Sequence, residues 1–153
     1  MVTTYTVLKT IHLLAAVVWL GGSLMLMVLG ERARRDRNDP SRVAGTIREI
    51  ATVAPRTFIP ASLVLVITGF WMVQNGGLPY NTWVVLGIIG WGVTFLTGNL
   101  FLGPSSKKAA EALATAGPSE AQTLSYVDRL LLAVRVDELI LVLIIIDMVI
   151  KPT

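Results

Sequence analysis

His12 is the only histidine in this chain of 153 residues, which contains no cysteine. Apart from methionine sulfur, its imidazole is the only soft or borderline metal ligand available. It lies in an uncharged stretch, residues 10–30, where a polar ring costs free energy and usually needs a partner. Read as a helix at 100° per residue, the stretch places Trp19, Gly22 and Ser23 on the same stripe as His12. This stripe is the first candidate for a functional site.

Three interpretations of His12 stay open. It packs against a neighbouring helix through a hydrogen bond, it is an axial ligand of haem b, or it serves a copper ion or a proton relay. Small residues such as Ala15 beside the histidine, together with Gly22, would let a flat macrocycle approach. One histidine excludes bis-histidine ligation within one chain, so the haem would be five-coordinate, completed by a methionine such as Met72 or Met148, or shared between protomers.

Several ionisable residues fall inside apolar stretches. At a rise of 1.5 Å per residue, Lys9, His12 and Asp147 reach similar depths and are expected to form an outer polar cluster. Arg135 and Glu138, three residues apart on a helix, can pair with each other, whereas Asp137 is expected to look into the bundle with Asp147. A second, inner polar cluster is expected from Arg56, Asn99, Arg135, Asp137 and Glu138. The alternative is that these charges are interfacial anchors or ion pairs that fix the helix register.

The composition indicates that the segments carrying these residues lie in a membrane. Hydrophobic residues make up 54% of the chain and charged residues 15%, and the mean hydropathy is +0.68. A soluble domain of this size could not bury so much apolar surface. Uncharged segments at 10–30 and 57–106 are long enough for one and two spans, because a helix needs about 20 residues to cross a bilayer. We therefore predict an integral membrane protein.

The predicted fold is all-α, a four-helix antiparallel transmembrane bundle forming a single domain. We predict four spans and two long polar loops, the spans at about 5–29, 57–73, 82–102 and 130–150, the loops at 31–56 and 103–129. Seven Lys and Arg residues lie in the first loop and four in the second loop and its flank, against two on the other side. By the positive-inside rule the loops are cytoplasmic and both termini lie outside the cell membrane.

Local signals refine this picture. Pro40 opens a short amphipathic helix in the first loop, with Val43, Ile47 and Ile50 on one face, suited to lying along the lipid headgroups. Pro60 lies near the start of the second span, where a missing N–H is harmless.

A stripe of small residues marks the third span. It consists of Gly87, Gly90, Thr94 and Gly98, and such a stripe is the usual means of close helix contact in lipid. The expected partners are the lipid bilayer and a second copy of the chain or a larger membrane complex. The basic loop 31–56 has no interleaved aromatic residues, so nucleic-acid binding is not expected.

The first and last spans carry a family resemblance. The pattern K-x-x-H-x6-W-x-x-G resembles the first span of the superfamily that includes the CopD copper-resistance domain and the HemJ-type protoporphyrinogen oxidase. The last span is similar to that family's last helix through Arg135, the acidic pair Asp137–Glu138, and Lys151–Pro152. The resemblance implies the four-span fold and a role for His12 in binding haem, with Trp19 and Gly22 beside it.

Three functional hypotheses follow from the sequence. The protein binds haem b through His12 for electron transfer or porphyrin handling, or it is a non-enzymatic accessory or scaffold protein without a cofactor, or it transports a small solute or copper. The chain has no phosphate-binding glycine loop, no nucleophile elbow and no HExxH motif, which favours a protein that is not an enzyme.

Overall fold

The computed structural model describes residues 3–36, 38–76, 79–115 and 120–151, and these residues form helices with no strand among them. The elements are α1 (Thr4–Arg35), α2 (Pro40–Asn75), α3 (Thr82–Leu96), a π-helical segment (Thr97–Leu102), α4 (Gly103–Thr115) and α5 (Glu120–Ile150). The predicted all-helical fold is confirmed.

Three helices are long and apolar enough to cross a membrane: Thr4–Arg35, Ser41–Asn75 and Thr82–Ala114. The third runs through α3, the π-helical segment and α4 as one continuous rod. With α5 as a fourth long helix, the number of helices fits a four-helix bundle.

The helices extend well beyond the thickness of a bilayer. At 1.5 Å per residue, the 36 residues of α2 span about 54 Å, against a hydrocarbon core of about 30 Å. Most of the polar residues in 31–56 and 103–129 are therefore helical extensions of the spans.

The amphipathic segment that begins at Pro40 is one such extension. Asp39 caps it by accepting hydrogen bonds from the backbone N–H of Arg42 and the hydroxyl of Ser41. Pro40 takes the first helical position, as predicted, because its missing N–H would have no partner there. However, the segment is not a separate short helix on the headgroups, since it continues without a break into α2.

The apolar face of that segment packs against protein. Nine buried residues form one hydrophobic core at this end of the bundle, with α1, α2, α4 and α5 all contributing: Ala33, Val43, Ala44, Ile47, Ala109, Ala110, Leu113, Val127 and Leu131. The expectation that Val43 and Ile47 face lipid headgroups was wrong, because both side chains pack against apolar residues of α4 and α5.

Pro60 also departs from the expectation. It lies in the interior of α2, as does Pro55, and not near a helix start. Neither proline can donate a backbone hydrogen bond to the carbonyl four residues earlier. Inside a membrane bundle such carbonyls are tolerated where neighbouring helices or side chains compensate for them.

Glycines mark the closest helix contacts. A Cβ added to Gly22 in α1 would lie 2.7 Å from Cε1 of Phe58 in α2, and one added to Gly90 in α3 would lie 2.6 Å from Ile144 in α5. Gly87 contacts Met148 in the same way. Two members of the small-residue stripe of the third span, Gly87 and Gly90, therefore contact α5 within the chain, whereas a Cβ added at Gly98 has no neighbour within 4 Å.

The outer surface of the bundle is apolar. Leu14 is 61% exposed, Val17 67%, Leu100 72% and Val149 76%. Large side chains of this kind are exposed on soluble monomers only singly, whereas here they are spread over every long helix. This surface suits contact with lipid acyl chains.

Candidate functional site

His12 is anchored to the backbone of the neighbouring helix. Its Nδ1 lies 2.9 Å from the carbonyl oxygen of Leu65 and 3.1 Å from Oγ1 of Thr68, both in α2. A carbonyl oxygen can only accept, so Nδ1 carries the proton and Nε2 is the unprotonated nitrogen. The imidazole joins α1 to α2, which is the first of the three interpretations drawn from the sequence.

The small-residue surface beside His12 is filled by neighbouring side chains. The ring of Phe58 lies against Gly22, and the His12 ring lies against Gly69, where an added Cβ would come within 3.0 Å of its Cε1. Trp19 is buried, with 6% of its surface exposed, and lines a cavity that His12 does not line. Within the stripe, His12 and Gly22 are therefore packed against α2, whereas Trp19 and Ser23 line the cavity.

The expected outer cluster does not form through direct contacts. Lys9 is exposed, and the partners of His12 lie on α2. Asp147 is half-buried, and its Oδ2 is buried without a hydrogen-bond partner among the described residues.

The expected inner cluster is divided. Arg56 is exposed and donates to the carbonyl of Thr52 in its own helix, at 3.4 Å. Arg135 donates to Glu31 at 3.1 Å, so it does not pair with Glu138. The two arginines thus lie away from the buried acidic residues.

The acidic pair of α5, Asp137 and Glu138, is buried. Glu138 accepts a hydrogen bond from the hydroxyl of Ser23 in α1, and its Oε1 has no described partner. Asp137 is 8% exposed, and its Oδ1 is buried without a described partner. An unpaired carboxylate oxygen in an apolar interior is costly unless a proton or a cation satisfies it.

Asp137 lines a partly open cavity of about 550 Å³ between the long helices. Every long rod of the bundle contributes to its wall, including Trp19 from α1, Phe58 from α2 and Phe95 from α3. Asn99, in the π-helical segment, also lines it, so two of the residues expected in the inner cluster meet at this cavity. The volume lies in the range of pockets that hold small molecules.

Three hydroxyl groups in the cavity wall already donate hydrogen bonds within the protein. The hydroxyl of Ser23 donates to Glu138, that of Ser62 to the carbonyl of Ile59, and that of Thr94 to carbonyls of its own helix. One of the two N–H groups of the Asn99 amide donates to the carbonyl of Phe95 at 2.8 Å. The three hydroxyl oxygens and the amide oxygen of Asn99 still have lone pairs that can accept hydrogen bonds. A molecule that supplies donors therefore suits these groups.

Sequence reasoning missed part of this wall. Ser62, Phe58 and Lys107 line the cavity, yet none of them stood out in the sequence. Ser23 did stand out, since it lies four residues after Trp19 on the same stripe. Ser62 carries a weaker signal of the same kind, as a small polar residue four positions after Phe58 in the uncharged stretch 57–106.

Metal binding by a cluster of side chains finds no site in the part of the chain that the structure describes. No group of three or more His, Asp or Glu residues lies close enough there to hold an ion. His12 could offer Nε2 alone.

The comparisons with known proteins bear on the membrane assignment. A family model described as predicted integral membrane protein (DUF2269) matches residues 6–152. No curated protein and no solved structure matches the chain. The match does not support the resemblance to CopD and the HemJ-type oxidase.

Proposed function

The chain belongs to the DUF2269 family of predicted integral membrane proteins, and from this premise we propose that it binds a small organic cation within the bundle. The ligand is a protonated amine with an apolar body, and its site is the cavity beside Asp137. One observation carries the proposal: Asp137 lines the cavity, and its carboxyl has a buried oxygen, Oδ1, with no described hydrogen-bond partner.

Electrostatics favours a cation at this position. Arg135, the nearest basic residue along α5, is engaged by Glu31, so the Asp137 carboxyl lacks a basic partner from its own helix turn. A protonated amine would supply a positive charge for the Asp137 carboxylate and N–H donors for the oxygen atoms in the cavity wall. The apolar body would lie against Trp19, Phe58 and Phe95, where desolvation favours hydrocarbon.

The proposal includes the orientation of the bundle. Contacts between α1 and α2 pair His12 with Gly69 and Gly22 with Phe58, and contacts between α3 and α5 pair Gly87 with Met148 and Gly90 with Ile144. In both pairs of helices, residue numbers rise along one helix as they fall along its neighbour. This supports an antiparallel bundle. With the basic extensions in the cytoplasm and both termini outside, the cavity lies in the cytoplasmic half of the membrane.

Ligand binding by purified protein in lipid nanodiscs tests the proposal. The probe is octylammonium, and octan-1-ol, which has the same chain without the charge, measures simple partition into lipid. The test variant is Asp137→Asn, which keeps the shape and removes the charge. The matched control is Asp147→Asn, which removes another carboxylate of α5, one that also has an unpartnered oxygen but does not line the cavity.

The expected result is saturable binding of octylammonium that Asp137→Asn weakens by at least about thirtyfold, the equivalent of about 2 kcal/mol for a buried charge pair. Asp147→Asn should bind as the wild type does, and octan-1-ol should show no saturable binding. Equal binding by the two variants would overturn the proposal and leave the scaffold hypothesis, in which buried carboxylates only fix helix register.

Haem b binding through His12 is a second candidate function. The supporting observation is the hydrogen bond from Nδ1–H to the Leu65 carbonyl, the arrangement that orients ligating histidines and frees Nε2. The packed surfaces at Gly22 and Gly69 argue against it, because they leave no flat face of small residues for a macrocycle. A Soret band that appears on haem loading and is lost in His12→Ala would support this candidate, and no band would remove it. Kinship with CopD and HemJ-type proteins, transport and self-association stay predictions.

A further inference from the structure

Lys107 lies at the far end of the cavity from Trp19. It belongs to α4, it is exposed, and its residue forms part of the cavity wall. No described carboxylate lies within ion-pair distance of it. Its neighbour Lys108 is also exposed but does not line the cavity. The cavity therefore has an acidic group in its wall and a basic group at its mouth.

Helix geometry gives the separation of the two charges. The contacts Gly87–Met148 and Gly90–Ile144 set the register of α3 against α5. When this pairing is continued along the two helices, Asp137 of α5 lies level with Thr97, the first residue of the π-helical segment. Lys107 lies ten residues further along the same rod, or about 15 Å at 1.5 Å per residue. The flexible stem of a lysine shortens the gap that a ligand must bridge.

We infer that the ligand carries two opposite charges: an ammonium group at Asp137 and an anionic group, such as a carboxylate, at Lys107, joined by an apolar chain. This inference rests on the proposed function, and it narrows the ligand class from cationic amines to long-chain amino acids with charges at opposite ends. The apolar wall between the two residues suits the hydrocarbon chain. The exposed Lys107 would meet the anionic end where water still reaches it.

The test compares two ligands and two lysine variants in nanodiscs made of zwitterionic lipid. The ligands are octylammonium and 8-aminooctanoic acid, whose extended chain separates its charges by a comparable distance. The variants are Lys107→Met and the matched control Lys108→Met, each of which removes one exposed positive charge. Dissociation constants are measured at low and at high NaCl concentration.

Wild-type protein and Lys108→Met should bind 8-aminooctanoic acid roughly two- to fivefold more tightly than octylammonium, the range of a solvent-exposed ion pair. Lys107→Met should lose this preference and bind octylammonium as before. High salt should reduce the preference in the wild type, because exposed charges are screened.

The inference fails if octylammonium binds at Asp137 but 8-aminooctanoic acid binds no more tightly, or if Lys107→Met and Lys108→Met behave alike. If the proposed function itself is wrong, the result is distinguishable, because Asp137→Asn would then bind both ligands as the wild type does.

Discussion

Gly90 offers a test of the packing that sets the position of α5, and with it the position of Asp137. Substitution by alanine adds one carbon atom, which would lie 2.6 Å from both Cγ1 and Cδ1 of Ile144. Carbon atoms in van der Waals contact are about 3.5–4.0 Å apart, so the helices would have to move by about 1 Å. The isoleucine is branched at Cβ, and one of the two crowded atoms is next to that branch, so a simple side-chain rotation gives little relief.

Overpacking of this kind costs about 1–3 kcal/mol in free energy of unfolding. Alanine also gains about 1 kcal/mol over glycine in helix propensity, which partly masks the clash. Gly92, two residues away in the same helix, is the matched control, because an added Cβ there has no neighbour within 4 Å. The expected difference in stability between Gly90→Ala and Gly92→Ala is therefore about 1–3 kcal/mol, with Gly92→Ala the more stable.

Unfolding in mixed micelles, followed by far-ultraviolet circular dichroism, would measure this difference. The double variant Gly90→Ala with Ile144→Ala removes the crowded atoms, so its loss of stability should be smaller than the sum of the single losses. Equal stability of Gly90→Ala and Gly92→Ala would refute the close contact of α3 with α5 and the register derived from it.

Two further predictions concern α1 and the start of α2. Replacing His12 by alanine should lower the free energy of unfolding by about 0.6 kcal/mol or more, because the hydrogen bond to α2 is lost. The control variant Lys9→Ala, at an exposed position, should leave the free energy of unfolding unchanged. Denaturation of the two variants and the wild type measures the difference. Hydrogen bonds from the Ser41 hydroxyl and the Arg42 N–H hold the pKa of Asp39 below its ordinary value of 3.8. The cap is therefore fully formed above that value and is lost as the pH falls through the lower pKa of the folded state. The protection of amides in the first turn of α2, taken relative to their intrinsic exchange rate at each pH, should fall at that acid pH in the wild type. It should stay constant in Asp39→Asn, which still accepts hydrogen bonds but does not titrate, and identical acid profiles of protection would contradict the assignment.

Hydropathy was enough to predict three helices that are long and apolar enough to cross a membrane, because uncharged stretches such as 10–30 leave few alternatives to a membrane span. It could not predict how far the helices continue. The polar residues after Arg32 and before Pro55 resemble a loop in composition, and only the partner surface of α4 and α5 shows why Ile47 belongs to a buried helix face. The prediction from Pro60 was wrong because it ignored the neighbouring helices. A proline indicates a helix start only when no neighbouring helix compensates for its missing N–H.

The site was predictable in part. Spacing along α5 indicated that Asp137 faces the bundle, and it does line the interior cavity. The hydrogen-bond partner of His12 could not be predicted, because every residue has a backbone carbonyl and the side-chain pattern does not single out that of Leu65. Arg135 was expected to pair within its helix, but Glu31 of α1 competes successfully across the helix interface. Pairings between helices depend on register, which no local pattern specifies.

Photolabelling tests the central claim most directly, because it locates a bound amine on the chain. An alkylammonium probe with a diazirine on its hydrocarbon chain would be irradiated with the wild type in nanodiscs, and the adducts mapped by mass spectrometry. Adducts on cavity residues such as Phe58 and Phe95, suppressed by excess octylammonium and absent from Asp137→Asn, are the predicted result. Adducts confined to lipid-facing residues such as Leu100 and Val149, unchanged in Asp137→Asn, would contradict a binding site inside the bundle.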